Sequence, residues 1–381
     1  MNQKINRLFY IFEGRFPSEK AASLFAAKSC EAFVKLGYEV VVLVPRRIGR
    51  AIEDYGSYYK IDSRFKVKFL PIIDLFGIRS LLPIAFRISL LTFSLSVFFY
   101  VLFNRKRGDV VYSNAMVPLY FGALTGTPGF YEVHDFPEKS LFLYKHMLQK
   151  MAWILSTNQW KKEKLIEIFG LDSKKIIVEP NAVELEAFGK EIDKADARRQ
   201  LNLPADKKII LYTGHLYGWK GVDTLAQASD LIKGAEIYFV GGTKDDCENF
   251  AKKYGHMKSV HIIGHRPHTE IPLWQAASDI LVLPNTAREK ISAYYTSPMK
   301  LFEYMASGRP IVASDLPSIR QITGDDAAIL FKPDDPRSLA DAISSALGNE
   351  WLCDRVSNVA RERVKEHTWE KRVKRVLDFM V

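Results

Sequence analysis

Residues 297–315, SPMKLFEYMASGRPIVASD, combine residue types that suit the binding of a phosphate and of sugar hydroxyls. Ser297 is a good helix N-cap and Pro298 suits the first helical position, so we expect a helix to begin here. The first turn of a helix presents unpaired backbone N–H groups and a partial positive charge, which favour an anion. Lys300 would add a full charge. Glu303 lies beyond the first turn, where a carboxylate suits hydrogen bonds from ribose hydroxyls.

The same stretch also fits an ordinary amphipathic helix. Its apolar residues at helical spacing are Leu301, Phe302, Met305 and Ala306. Gly308 suits the left-handed position that ends a helix, and the short apolar strand predicted at 311–313 follows. In that interpretation Lys300 and Glu303 are solvated surface residues, and periodicity alone favours it.

A second candidate anion site follows the strand predicted at Lys208–Thr213. Glycines at positions 214, 218 and 221 bracket a turn, and Lys220 stands at the N-terminus of the next helix. A lysine beside helix N–H groups is unfavourable for the helix itself, so its presence indicates that an anion normally occupies the site. A solvated lysine is the alternative.

Two further candidates follow strands of the first half. His134 comes directly after the predicted strand Gly129–Val133, at the strand end where open α/β sheets bind ligands, although a single histidine can equally be structural. Gly14 follows the first predicted strand and permits a ligand to approach the backbone. The Gly-x-Gly-x-x-Gly fingerprint is absent, which argues against a nicotinamide enzyme.

Apolar strands alternate with helical stretches in both halves, which is typical of parallel βαβ units. We predict a first domain at residues 1–184 and a second at 207–366, separated by a charged linker region at 185–206. The chain of 381 residues is long enough for two cores. Its three cysteines support neither a disulfide framework nor a cysteine-based metal site, and the N-terminus lacks the apolar core of a signal peptide. These features predict a cytoplasmic protein.

The net charge of +10 requires an anionic partner, which could be nucleic acid, a lipid surface or a phosphorylated small molecule. No zinc-finger spacing or aromatic RNA-binding signature is present, so we do not expect nucleic acid. The apolar segment 88–103 is shorter than the roughly 20 residues that span a bilayer. We predict a crossover helix buried against the sheet. The alternative is a helix that dips into a lipid interface and places its basic ends on lipid phosphates.

These motifs resemble those of the retaining glycosyltransferases of family 4, which have the GT-B fold. That family carries two glutamates separated by seven residues. Glu303 stands at the second position and Tyr295 at the first. The pair Lys220–Gly221 matches the family's Lys-Gly, and His215 occupies the position of the usual arginine. The resemblance implies that Lys220 and His215 clamp a diphosphate.

The resemblance also implies roles for residues elsewhere. His134, in YEVHDFP, would face the donor sugar, and Arg266 would contact the base or a phosphate. The catalytic candidates are His134, Lys220 and Glu303. The donor-binding candidates are Gly14, His215, Lys220, Arg266, Ser297, Pro298, Met299, Lys300 and Glu303. No Asp-x-Asp motif stands at a strand end, so we expect neither a metal site nor a cofactor.

The fold that the resemblance implies is α/β, with two Rossmann-like parallel-sheet domains facing each other across a cleft. The first domain would serve the acceptor and the second the nucleotide sugar, and the last helix, at 367–381, would cross back to the first domain. Helix N-termini and basic side chains would neutralise the diphosphate leaving group.

The activity implied is retaining transfer of a hexose from a nucleotide-diphosphate sugar to an acceptor hydroxyl. The basic surface and the segment 88–103 favour a lipid-linked or cell-surface glycan precursor as acceptor, and a peripheral contact with an anionic membrane at the inner face of the plasma membrane. Two alternatives stay open because Tyr295 replaces the first glutamate. They are a 2-epimerase of the same fold and a non-catalytic nucleotide-binding scaffold.

Overall fold

The computed structural model describes residues 5–18, 20–47, 54–76 and 82–380. Contacts divide the chain into two compact units. The first is Met1–Glu179 together with Trp369–Val381, and the second is Pro180–Thr368. The residues predicted as a linker, 185–206, lie in the second unit, where Ala197 packs in a small core cluster. The sequence favoured a linker here because charged residues are frequent and the apolar residues are interspersed among them.

The elements of the described residues are numbered in chain order. The strands are β1 (Arg7–Ile11), β2 (Glu39–Pro45), β3 (Lys66–Leu70), β4 (Asp109–Ser113), β5 (Gly129–Val133), β6 (Trp153–Ser156), β7 (Ile176–Val178), β8 (Lys208–Thr213), β9 (Ala235–Val240), β10 (Val260–Gly264), β11 (Ile280–Leu283), β12 (Ile311–Ser314) and β13 (Ile329–Phe331).

The α-helices are α1 (Ala21–Lys35), α2 (Tyr55–Tyr59), α3 (Leu82–Asn104), α4 (Met116–Leu124), α5 (Leu141–Lys150), α6 (Gln159–Phe169), α7 (Leu185–Phe188), α8 (Lys194–Gln200), α9 (Val222–Ala228), α10 (Lys244–Tyr254), α11 (Ile271–Ala277), α12 (Met299–Ser307), α13 (Pro317–Thr323), α14 (Pro336–Gly348), α15 (Glu350–Val364) and α16 (Trp369–Met380).

In the described part of the first unit, seven parallel strands form one sheet in the order β3-β2-β1-β4-β5-β6-β7. Its central strands are short apolar runs buried on both faces, as expected where helices cover a parallel sheet. The last helix, α16, packs on α1 within this unit. Its buried face includes Val373, Val376, Leu377 and Met380. Residue 381, the end of the predicted helix, lies outside the described residues.

The helix expected at residues 88–103 is longer than the sequence predicted. α3 has 23 residues, and Pro83–Asn104 is long and apolar enough to cross a membrane by length and composition alone. The prediction began too late because Arg87 interrupts the apolar run. In the structure Arg87 is exposed and the helix continues past it. α3 connects β3 to β4 of one sheet and packs on α4, so it is a crossover helix, but only one of its faces is buried.

In the second unit, the described residues form a parallel sheet in the order β10-β9-β8-β11-β12-β13. The chain runs from β8 outwards to β10, and then returns to the other side of β8 at β11. β8 and β11 are neighbours in the sheet, and the connections that follow them therefore leave in opposite directions. Ligands of open parallel sheets bind at such a position, outside the carboxyl ends of the strands.

Candidate functional site

Lys220 and Lys300 follow the two strands, β8 and β11, at which the direction of the second sheet reverses. Lys220 closes the short 3-10 turn Gly218–Lys220 directly before α9. Lys300 lies in the first turn of α12. The fold therefore brings to one region two lysines that are 80 positions apart in the sequence.

Gly221 holds the loop of Lys220 against the end of β11. Its φ is +70°, a left-handed conformation that favours glycine. A Cβ atom at this position would lie 1.8 Å from the carbonyl oxygen of Pro284. A side chain would therefore push the loop away from β11, and Lys220 would move with it.

The ammonium group of Lys220 is poorly solvated. It lies 3.7 Å from the centroid of the Trp219 ring. Burial lowers the pKa of Lys220 to about 7, because a desolvated ammonium is less stable than a solvated one. A bound anion would favour the charged form again and would stabilise it in this position.

Lys300 is the second cation of this region. Its Nζ is buried and has no hydrogen-bond partner among the described residues, and it lies 3.8 Å from the centroid of the Tyr212 ring. Burial lowers the pKa of Lys300 well below its usual range, the charge of Lys220 lowers it further, and Glu303 opposes this. At Gly214, whose φ is +119°, a Cβ atom would lie 2.7 Å from this Nζ. The arrangement places two buried amines in one region, and the charged form of each disfavours that of the other.

The start of α12 differs from the prediction. The helix begins at Met299 and not at the position that would make Ser297 the N-cap; Pro298 is the N-cap residue. Ser297 does not cap the helix because its hydroxyl oxygen accepts a hydrogen bond from the backbone N–H of Asn181 at 3.0 Å. No side chain caps the first turn of α12, so its N–H groups stay available to a ligand.

Glu303 is buried on α12 and is paired with a residue that the sequence analysis did not select. Its Oε1 lies 2.9 Å from Nε2 of His268, which also packs on Phe188 with ring centroids 5.1 Å apart. The next residue, Tyr304, accepts a hydrogen bond from the backbone N–H of Thr213 at 2.8 Å and thereby ties α12 to the end of β8. The position of Glu303 is thus fixed from two directions.

His215 and Arg266 both have partners within the second unit. His215 stacks on Tyr217 with ring centroids 4.9 Å apart, and its Nδ1 lies 3.5 Å from Oδ2 of Asp246. Arg266 donates from Nη1 to the carbonyl oxygen of His265 at 2.9 Å. The roles predicted for these two residues in binding a diphosphate or a base stay predictions.

His134 of the first unit belongs to a buried charge network. Glu132 lies on β5, two positions before His134, and is fully buried. Its Oε1 lies 2.9 Å from Nε2 of His134 and accepts from Nη2 of Arg372 at 2.5 Å, and Tyr112 donates to its Oε2. Burial would raise the pKa of Glu132, but the charges of Arg372 and His134 outweigh it and lower the pKa to about 2. With its proton on Nε2, His134 accepts at Nδ1, and Nδ2 of Asn114 lies 3.5 Å from this atom.

The backbone at His134 is fixed by a buried lysine. Lys161 donates from Nζ to the carbonyl oxygens of Val133 at 2.6 Å and His134 at 2.9 Å. Burial lowers the pKa of Lys161 to about 7. This contact orients the turn that follows β5, and it places Lys161 in a structural role.

Gly14 follows β1, but its lack of a side chain has a local explanation. A Cβ atom at Gly14 would lie 2.6 Å from the tip of the Phe12 ring. The packing of Phe12 therefore accounts for a glycine at this position without a ligand. Its predicted contact with the donor stays a prediction.

Sequence reasoning missed several residues of these two regions. Asn285, two residues after the end of β11, has both polar side-chain atoms buried and without a partner among the described residues. His268 and Arg372 meet Glu303 and Glu132 through contacts that span 35 and 240 positions. No local pattern marks such residues. Within the described ranges, no group of three or more His, Cys, Asp or Glu side chains is arranged to hold a metal ion.

Residues 207–349 match the family described as Glycosyl transferases group 1. The matched residues lie in the second unit and include Lys220, Lys300 and Glu303. The chain is also similar to TuaC of Bacillus subtilis (strain 168), a proposed teichuronic acid biosynthesis glycosyltransferase, with 25% identity over 240 residues. The alignment covers 62% of this chain and 56% of TuaC, so the chain spans little more than half the length of that relative.

Solved structures show the fold over nearly all of the chain. Sucrose-phosphate synthase from Thermosynechococcus elongatus superposes with a TM-score of 0.75 over 97% of each chain, at 20% identity. HepE of Anabaena, crystallised with UDP-glucose, superposes with a TM-score of 0.76 over 98% of this chain and 99% of HepE, at 16% identity. The two parallel-sheet units have the GT-B fold, which confirms the fold class predicted from the motifs.

Proposed function

We propose that this chain is a glycosyltransferase that moves a hexose from a nucleoside diphosphate sugar to an acceptor hydroxyl and retains the anomeric configuration. The observation that carries the proposal is the pair of poorly solvated ammonium groups of Lys220 and Lys300, which have no ion-pair partner among the described residues. A diphosphate would neutralise both. The glycosyl transferases group 1 match over residues 207–349 supports a nucleotide sugar as its source.

In the proposed reaction, the acceptor oxygen forms a bond to the anomeric carbon on the face from which the phosphate leaves. The bond between that carbon and the β-phosphate oxygen breaks, and its electron pair stays on the phosphate oxygen. The acceptor proton passes to a phosphate oxygen. Negative charge therefore grows on the diphosphate as the bond breaks. Lys220, Lys300 and the uncapped first turn of α12 stabilise that charge without a metal ion.

Other residues would orient the donor. We propose that the carboxylate of Glu303, held by His268, accepts hydrogen bonds from the ribose hydroxyls, and that His134 contacts the sugar. Tyr295 is buried at the end of a π-helical turn and supplies no carboxylate. Recognition of the sugar hydroxyls must therefore use residues other than a glutamate at this position.

For the acceptor, we propose a lipid-linked or cell-surface glycan precursor, used at the inner face of the plasma membrane. The net charge of +10 and the apolar helix α3 support this location. TuaC, one of the similar proteins, is named for teichuronic acid biosynthesis.

The test is turnover of UDP-, GDP- and ADP-hexoses by the purified chain, with and without lipid extracts as acceptors. We expect one donor to release its nucleoside diphosphate in an acceptor-dependent manner, with the product retaining the anomeric configuration in its NMR couplings. EDTA should leave the rate unchanged. Lys220→Ala and Glu303→Ala should each lower the rate by about a hundredfold or more. Lys233→Ala, which changes an exposed lysine of the same unit, should leave the rate unchanged.

Three outcomes would contradict the proposal. Binding of a sugar nucleotide with no turnover would indicate a scaffold. A change in the sugar without release of the nucleoside diphosphate would indicate an epimerase. Full activity of Lys220→Ala would remove that lysine from the site.

A further inference from the structure

The helix α3 carries a stripe of exposed large apolar side chains. They recur at intervals of four along its second half, at Leu91, Leu95, Phe99 and Phe103, and Ile84 and Phe86 precede them. Phe99 is 52% exposed and Phe103 is 78% exposed. Single exposed apolar residues are normal, but a continuous stripe marks a surface that binds a partner or a membrane.

The stripe is not the core-facing side of α3. The buried residues of the helix recur at the same interval on another side: Ala85, Ser89, Phe93, Val97 and Val101. This buried side includes the residues that pack as α3 crosses from β3 to β4 and lies against α4. Because the core contacts are already made there, the exposed side is apolar for another reason.

The loop that follows β3 extends the stripe. Ile73 and Phe76 are exposed on it. The loop is fixed to α3 by a hydrogen bond from the Ile73 N–H to Oγ1 of Thr92 at 3.1 Å and by one from Oγ of Ser96 to the Pro71 carbonyl at 2.6 Å. We call this set of exposed residues on α3 and its loop the α3 face. Its residues are Ile73, Phe76, Ile84, Phe86, Leu91, Leu95, Phe99 and Phe103.

Most charges at the α3 face are basic. Asp74 lies in the loop between Ile73 and Phe76, whereas the sequence from Leu75 to Gly108 contains five basic residues and no aspartate or glutamate. Arg87 is exposed along α3, and Arg105, Lys106 and Arg107 are exposed directly after its end. A surface that covers this face should therefore be apolar in its interior and negative at its boundary.

We propose that the α3 face docks on the surface of a lipid bilayer that contains anionic lipids. The apolar side chains enter the boundary between headgroups and acyl chains, and the basic cluster Arg105–Arg107 contacts lipid phosphates. A bilayer-spanning α3 is incompatible with this fold, because both ends of the helix continue into strands of one sheet and one side packs on α4. A second copy would bring a second Arg105–Arg107 cluster to the contact, and the two basic clusters would repel each other.

The test measures sedimentation of the full-length chain with vesicles, and it does not depend on the proposed glycosyl transfer. Vesicles of phosphatidylcholine alone are compared with vesicles that also contain phosphatidylglycerol. We expect binding to the mixed vesicles that weakens as salt is added. Phe99→Ser/Phe103→Ser should weaken this binding by about tenfold or more, because two aromatic rings that enter the lipid in the wild type are lost.

Matched variants in the second unit control for the loss of apolar and of basic side chains. Leu231→Ser/Trp351→Ser removes two exposed apolar residues and should bind as the wild type does.

Arg105→Gln/Lys106→Gln/Arg107→Gln should weaken binding to mixed vesicles by about a hundredfold at low salt. The triple variant Lys207→Gln/Lys233→Gln/Lys258→Gln makes the same change in net charge at exposed lysines and should weaken it far less. Unchanged melting temperatures would show that the variants fold.

Several results would overturn the proposal. These are no binding of the wild type to mixed vesicles, equal binding by Phe99→Ser/Phe103→Ser, or equal weakening by both triple variants. A dimer in sedimentation velocity that Phe99→Ser/Phe103→Ser dissociates would identify a second copy as the occupant. Membrane-expressed chain that resists extraction by high salt and by alkaline carbonate would identify a spanning helix.

Discussion

At the scale of single residues, burial disfavours the charged forms of Lys220 and Lys300. Each is poorly solvated, and the charge of Lys220 makes that of Lys300 less favourable. Neither contact with an aromatic ring replaces the lost hydration in full. Such a pair is costly for the free protein, and an anionic ligand removes the cost. The energetic argument for a diphosphate site therefore rests on these two side chains more than on any motif.

The pKa of Lys220 predicts a pH-dependent affinity for nucleoside diphosphates. In the free protein this pKa is about 7, so Lys220 is largely neutral above that pH. A bound diphosphate stabilises the charged form and raises the pKa, so binding takes up a proton. Affinity should therefore fall as pH rises from about 7 to 9, by up to about tenfold per pH unit for one proton. Calorimetry in buffers of different ionisation enthalpy measures both the affinity and the number of protons taken up on binding.

The control for this prediction is Lys220→Arg. An arginine stays charged throughout this range, so the share of the pH dependence that Lys220 contributes should disappear. An affinity that is flat with pH in the wild type, or a slope that Lys220→Arg leaves unchanged, would contradict the assignment.

The buried pair of Arg372 and Glu132 predicts a large loss of stability on substitution. Arg372→Met leaves the buried carboxylate of Glu132 without its main counter-charge, which should cost about 3–5 kcal/mol of unfolding free energy. Arg375→Met provides a matched control. Arg375 lies on the same helix as Arg372 and pairs with Glu179, but Arg375 itself is partly exposed, so its loss should cost less than the loss of Arg372.

Urea unfolding measures both variants. The double variant Arg372→Met/Glu132→Gln should recover part of the lost stability, because it removes the unpaired charge. The pKa of Glu132 is lowered by folding, so the stability that Arg372 contributes in the wild type is present above about pH 4.5 and is lost as pH falls towards 2. Equal effects of Arg372→Met and Arg375→Met would contradict this account.

At the scale of elements, the turn before α9 depends on one glycine. Gly221→Ala places a side chain in a left-handed conformation and against the Pro284 carbonyl, and should cost about 2 kcal/mol or more. It should also weaken UDP binding, since the loop that carries Lys220 must shift. Gly218→Ala lies three residues earlier with open space around its Cβ and should change stability by about 0.5 kcal/mol or less. Comparable losses in both variants would show that the turn tolerates no side chain at all.

The strands predicted at Gly129–Val133 and Lys208–Thr213 have the bounds of β5 and β8, because each is a short apolar run bounded by glycine, proline or charge. The strand predicted at 311–313 is one residue longer, as β12. The start of α12 was wrong because the Ser297 hydroxyl is engaged by Asn181, a contact across 116 positions. α3 was placed too short because Arg87 was taken as its boundary. Local patterns carry no information about such distant partners or about which polar residue a helix exposes.

The candidate site could be predicted only in part. Glycine and proline residues, which mark turns and helix ends, located the loop that carries Lys220 and the start of the helix that carries Lys300. The pairing of Glu303 with His268 and the isolation of the Lys300 ammonium depend on packing, which no spacing in the sequence reveals. The same holds for Arg372, which lies on a basic helix whose other charges are mostly exposed.

At the scale of the whole molecule, the chain builds one parallel-sheet unit, then a second, and returns to the first with α16. The residues proposed to hold the diphosphate all belong to the second unit, within 180–368. A ligand at this site should therefore stabilise that unit directly. At a concentration of about 100 times its Kd, the gain is about 2.7 kcal/mol.

Hydrogen exchange detected by mass spectrometry tests the location. Saturating nucleoside diphosphate should slow exchange most in peptides that cover 213–222 and 297–303. Lys300→Ala should remove this protection and leave the exchange of β1–β5 unchanged. Protection confined to the first unit would contradict a diphosphate site between β8 and β11.

The central claim is that Lys220 and Lys300 hold the diphosphate of a sugar nucleotide, and a thermal-shift titration tests it most directly. The wild type, Lys220→Ala, Lys300→Ala and Lys233→Ala are each titrated with UDP, GDP and ADP and with their hexose derivatives. We predict that one nucleotide series raises the melting temperature of the wild type and of Lys233→Ala in a concentration-dependent manner, and that the other two variants lose this response. No shift with any nucleotide, or equal shifts in all four proteins, would contradict the claim.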